Sequence, residues 1–169
     1  MMELHSGTGF EIDPQRCGHP ELAFVHAYWQ KARNGRLMPS RADLVIRDLK
    51  KQLGWLCLLD VLPDTRDFRY RLIGTKITLY FGTDTTGKTV TETFAANPDA
   101  GAIMTRILQQ VVRDKVVIRT YGDLSWLGRG LEDFESLFLP FSDDGTTVSM
   151  VLNPFTFDER RVQLNRTPL

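Results

Sequence analysis

The apolar and polar positions of this chain change period several times, and each change marks an element. Leu22, Val25, Trp29 and Ala32 recur at steps of three, four and three, one stripe of a helix. His19-Pro20 opens that helix and Asn34-Gly35 closes it. A second helix is predicted after Pro39, with Ser40 as N-cap, Asp43 completing a short capping box, and Leu44, Val45, Leu49 and Leu53 as its buried side. Gly54 stops it. Trp55 to Leu62 is apolar except for Asp60 and reads as a strand buried on both faces. Pro63 to Asp67 is turn chemistry, and Phe68 to Ile73 alternates as a second strand. Gly74 ends that strand, and a short helical piece and a Gly-rich loop follow.

Asn97-Pro98 is an N-cap followed by proline in the first turn. The helix they open runs to about Arg113. Ile103, Ile107 and Val111 fall at steps of four, flanked by Met104, Leu108 and Val112, a wide apolar face that needs cover. Three strands complete the pattern: Val116 to Tyr121, Ser136 to Phe141 and Thr146 to Leu152. Ser142-Asp143-Asp144-Gly145 joins the last two as a hairpin turn. Residues 122–134 are rich in glycine and charge and carry Trp126.

This order defines an α+β fold with a five-stranded antiparallel sheet. The long helix is expected on one sheet face and the N-terminal helices on the other. Residues 1–18 read as a flexible arm, 19–155 as a single domain and 156–169 as a C-terminal extension. A chain of 169 residues can bury a core without disulfides or metal. Lys plus Arg and Asp plus Glu both total 21, so the formal net charge is zero and nothing in it favours nucleic acid. Zero net charge also removes one barrier to self-association, and a homodimer is expected. No apolar run is long enough to span a membrane, and the N-terminus has neither the basic start nor the apolar core of a secretory signal. Two cysteines, Cys17 and Cys57, fit a reduced cytoplasmic setting.

Four blocks carry a resemblance: AYWQKARNGRLMPSRADL (Ala27 to Leu44), LLDVLPDTRDFRYRLIGT (Leu58 to Thr75), YFGTDTTGKTV (Tyr80 to Val90) and ESLFLPFSDDGTTVSMVL (Glu135 to Leu152). Their order and spacing over about residues 20–155 resemble small stand-alone bacterial PAS proteins of the alphaproteobacterial type. The resemblance implies a PAS-like sensory or regulatory domain. Such a domain binds a small molecule in its core and signals through protein contacts; the alternative is a ligand-free interaction or dimerisation module. The expected partners are an unidentified small molecule, a signalling protein, or both.

The cofactor is left unassigned. A haem-binding PAS domain takes an axial ligand, commonly histidine, from its helical half. His5, His19 and His26 all precede the PAS core, which argues against histidine-ligated haem. The segment Tyr80 to Thr85 lacks the cysteine that a flavin adduct requires. Cys57 reads as a small core hydrophobe. No metal site is expected.

No catalytic constellation appears. Gly82 to Thr89 fits the G-x-x-x-x-G-K-T spacing of a phosphate loop, but Val90-Thr91-Glu92-Thr93-Phe94 is a poor helix start and the order of elements is not parallel α/β. Arg71 and Arg119 are candidates to hold an anionic or polar ligand, and Tyr80 and Tyr121 to offer it a hydroxyl. Asp60 and Glu135 are candidate partners for Arg71, with a structural ion pair as the plainer reading. Arg119 points to the opposite face from Ile118 and Thr120. Tyr28 and Trp29 are candidate anchors of an interaction surface, and the plainer reading makes the N-terminal helices a cap over the sheet.

Overall fold

A computed structural model describes residues 9–64, 66–124 and 133–157 of the chain. The start of the N-terminal arm, Thr65 at the first hairpin, Trp126, and the C-terminal extension from Asp158 onward lie outside the described residues.

Helix α1 (Pro20–Arg33) begins and ends where its caps predict. The His19 imidazole accepts the Glu21 N–H at 3.2 Å, and Asn34 closes the helix in the left-handed conformation at φ 47°. Its stripe of Leu22, Val25 and Trp29 is buried. The predicted second helix is absent. In its place stand three short 3-10 turns, Arg41–Asp43, Ile46–Leu49 and Leu53–Trp55. The cause is a tertiary competitor for the backbone. The Tyr28 hydroxyl accepts from Val45 N at 2.7 Å and donates to Asp43 O at 3.0 Å, and Leu44 and Val45 are extended. A helix would need those same groups for its own ladder.

Among the described residues six strands form one antiparallel sheet: β1 (Gly9–Ile12), β2 (Leu56–Leu62), β3 (Asp67–Ile73), β4 (Ile118–Asp123), β5 (Asp133–Phe141) and β6 (Met150–Phe157), in the spatial order β1-β4-β5-β6-β2-β3. The sixth strand corrects the expected five. It comes from the arm, where β1 pairs with β4 from Gly9↔Tyr121 to Ile12↔Ile118. Asp13 pins its end: its N–H donates to Val117 O at 2.8 Å and its carboxylate accepts Val117 N at 3.0 Å. Four residues among glycines give no period to read.

Strand β6 also differs from the expected Thr146 to Leu152. The Asp144 carboxylate accepts the N–H groups of Thr146 at 2.7 Å and Thr147 at 2.6 Å, which holds the chain in a turn. The strand then continues through Phe155 to Phe157.

Among the described residues three further helices complete the fold: α2 (Thr75–Phe81), the single turn α3 (Val90–Thr93) and α4 (Pro98–Asp114). Asn97 caps α4 by accepting Ala100 N at 3.2 Å. Helix α1 packs on β5 and β6, where the Trp29 indole donates to Pro140 O at 2.9 Å. Helix α4 packs on β3 and β5. Strand parity sends Leu137 and Leu139 of β5 to one face, and Ser136 and Phe138 to the other.

Candidate functional site

Between the sheet and α4 lies a cavity of about 280 Å3. This is just below the roughly 300–1,000 Å3 usual for small-molecule sites. Ile103, Met104 and Ile107 of α4 form one wall, and Ile77, Phe81 and Phe94 close the helical end. The floor is the sheet, with Cys57, Tyr70, Ile73, Phe134, Phe138 and Phe155. A β-bulge sets part of this floor. Leu58 faces Leu72 and Leu59 faces Tyr70, so Arg71 is the extra residue. The insertion lets Tyr70 and Ile73, three apart in sequence, both line the cavity.

Polar groups enter the lining at few places. Thr120, Ser136 and Asn153 lie side by side on the floor from β4, β5 and β6, and each is at most 4 % exposed. The Thr120 and Ser136 hydroxyls are 2.9 Å apart. The Asn153 amide nitrogen donates to Leu137 O at 2.7 Å and lies 3.5 Å from the Ser136 hydroxyl. Thr83, Thr85 and Thr93 line the helical side. The buried Thr93 hydroxyl has no hydrogen-bond partner among the described residues.

Among the described residues that line the cavity, none is Asp, Glu, Lys, Arg or His. Its two weak acids are held neutral. Burial pushes the Cys57 thiol up to about 12, and burial followed by the charge field of Cys57 and Asp67 raises the Tyr70 phenol as well.

The residues singled out from the sequence stand elsewhere. Arg71 and Asp60 pair across the β2–β3 hairpin, with the guanidinium Nε 2.8 and 2.9 Å from the two carboxylate oxygens, and Arg71 is solvent-facing. The hairpin register, unbroken from Leu62↔Asp67 to Leu59↔Tyr70, places Asp60 opposite Arg69, two residues from its ion-pair partner Arg71. Arg119 lies on the other face of the sheet from the cavity, with its Nε 2.6 Å from Glu135 and its Nη1 3.2 Å from Glu11. Its guanidinium also sits 4.6 Å from the Tyr121 ring. Glu135 accepts the backbone N–H groups of Gly18 and His19, both at 2.8 Å, and so fastens the start of α1 to β5. Tyr80 stacks on Phe157 with ring centroids 3.9 Å apart. None of these six lines the cavity. Trp29 is 5 % exposed and belongs to the core under α1, not to a surface, whereas Tyr28 is half-buried.

The phosphate-loop spacing also has another use. Gly87 N donates to Tyr70 O at 2.7 Å, Lys88 N to Thr85 O, Thr86 N to Asp84 and Thr89 N to Glu92. The N–H groups that would cradle a phosphate are thus spent inside the protein. The loop covers the edge of β3 through an Arg69↔Thr89 bridge. Against the expected poor helix start, a helical turn begins at Val90, opened by a Thr89–Glu92 capping box.

The groups that do meet at the cavity carry no motif, because each is an ordinary strand residue. The available signal was polarity out of place: Ser136 and Asn153 each open or interrupt a run that is otherwise apolar.

An antiparallel sheet crossed by one long helix holds between them a cavity whose described lining is uncharged. The chain belongs to the PAS domain family, whose model matches residues 17–153. Domains of this family are sensory and regulatory modules, generally without catalysis of their own. No curated protein and no solved structure matches the chain. Among the described residues no helix is long and apolar enough to cross a membrane, and no cluster of His, Cys, Asp and Glu could hold a metal ion.

Proposed function

We propose that this PAS domain senses a small molecule bound between α4 and the sheet and passes its state on through protein contacts, with a second copy of the chain as the expected partner. The observation that carries this reading is the cavity of about 280 Å3. Well-packed interiors hold few voids larger than a water molecule. This one has room for about nine waters at their liquid volume. The orphaned Thr93 hydroxyl supports the same reading, since a buried polar group without a partner costs about 1–3 kcal/mol. A ligand or water in the cavity supplies that partner.

A ligand-free interaction module would instead fill this space with side chains. Occupancy can shift a signalling state only if the ligand binds one packing of the helices more tightly than another. The deciding experiment is native mass spectrometry of protein purified from its own host, beside its denatured mass. An added small-molecule mass that disappears on denaturation is the expected result. A bare mass, together with no loss of stability on extensive dialysis, overturns ligand sensing in favour of the interaction module.

A further inference from the structure

Resting on the cavity reading, we propose that the ligand is uncharged, compact and largely apolar, with a hydrogen-bond donor beside an acceptor, as in an amide or lactam, and that this polar edge docks on Thr120, Ser136 and Asn153.

The exclusion of charge comes first. No ionised side chain of the described residues lines the cavity, and a carboxylate, phosphate or ammonium placed there would be buried without a counter-charge. The apolar body is set by Ile103, Met104 and Ile107 on one side and the phenyl rings of the floor on the other.

The polar edge follows from counting protons. The Thr120 and Ser136 hydroxyls own two protons, and their mutual contact at 2.9 Å uses one. Among the described residues one donor is left over. The Asn153 amide commits its nitrogen to Leu137 O and toward Ser136, and among the described residues its oxygen remains as an acceptor. All three residues are nine-tenths buried or more, so this leftover donor and acceptor have little solvent to turn to. A ligand whose N–H meets the Asn153 oxygen and whose C=O meets the hydroxyl pair satisfies both. A carboxylate has no donor to give, and a hydrocarbon has neither.

The test uses three probes of one shape, benzamide, benzoate and toluene, titrated at pH 7.5 against the full chain freed of bound small molecules, with affinities from protein NMR shifts. Benzamide is expected to bind at least tenfold tighter than benzoate. A double variant, Thr120→Val with Ser136→Ala, keeps the shape and removes both hydroxyls. It is expected to bring benzamide to within about threefold of toluene while toluene binds as before, which also shows the variant to be folded. Benzoate binding as well as benzamide, or a benzamide preference that survives in the variant, overturns the proposal. Toluene binding without any preference for benzamide overturns the polar edge and leaves the cavity reading standing. No binding by any of the three overturns both.

Discussion

The Asn153 side-chain nitrogen donates to the backbone carbonyl of Leu137 at 2.7 Å, at the point where β6 cannot. The β5–β6 ladder runs through Ser136↔Phe155, breaks, and resumes at Leu139↔Leu152. Within that break Pro154 comes opposite Leu137 and has no N–H to give. Proline in a strand flanked on both sides is rare for this reason. Asn153 supplies the missing donor from the neighbouring side chain.

A double-mutant cycle tests this substitution of side chain for backbone. Asn153→Ala is expected to cost about 1–3 kcal/mol, because it leaves a buried carbonyl unpaired. Pro154→Ala restores a backbone N–H to the ladder. The double variant should therefore recover at least half of the loss, read from urea midpoints. Simple additivity of the two changes would show that Asn153 does not stand in for the proline.

Glu135 joins the arm, α1 and the sheet by accepting Gly18 N, His19 N and Arg119 Nε together. Removing one partner of such a group strands the others. Glu135→Ala is expected to cost about 2–4 kcal/mol, below the range for full burial because Arg119 retains some solvent and Glu11. Glu135→Gln should cost nearly as much. An amide offers one oxygen where three donors converge, and its NH2 faces a donor. Equilibrium unfolding in urea measures both, and a loss under about 0.5 kcal/mol for Glu135→Ala would remove this role.

Local chemistry was legible wherever it is decided locally. His19, Asn34 and Asn97 cap the helices they were read to cap, and the stripes of α1 and α4 are buried. Two features escaped because they are long-range. The Tyr28 hydroxyl reaches across to Val45 and displaces a helix that the apolar spacing alone favours. The bulge at Arg71 depends on how two strands meet and turns both Tyr70 and Ile73 toward the cavity. The site was half legible. Strand parity already set Arg119 apart from Ile118 and Thr120, but which side α4 would cover was not written in that strand. Charge along a strand suggests a ligand anchor, whereas the described residues that line the cavity are neutral.

The thiols give a prediction in pH. Burial, then the Glu135 charge, lifts Cys17 to about 11, and burial lifts Cys57 to about 12, against an ordinary value of 9.0. At pH 8 their thiolate populations should fall about a hundredfold and a thousandfold below that of a free cysteine. Alkylation by iodoacetamide, followed by mass spectrometry, should be slow for both in the native protein and fast in urea, with Cys57 the slower. The sign for stability follows from the raised values. The native state holds these protons more tightly than the unfolded chain, so the contribution is fully present below pH 9 and is lost as pH rises toward 12. Rapid native labelling of Cys57 at pH 8 would contradict its placement in the cavity floor.

Thr93 separates a group kept for folding from one kept for a ligand. Its hydroxyl is buried and without a partner among the described residues, so in the ligand-free protein it costs whatever a cavity water does not recover. Thr93→Val preserves the shape and removes that cost, and the empty domain should gain up to about 1 kcal/mol. If the hydroxyl served the fold, the same change would destabilise. With the cavity filled by a ligand that bonds Thr93, the sign reverses: the variant should bind more weakly and gain less stabilisation from ligand than the native chain does. Paired urea titrations, with and without the molecule recovered from the native mass spectrum, read both signs. A destabilised empty variant would mean that Thr93 serves the packing of α3 against α4, and the cavity would lose its orphaned partner.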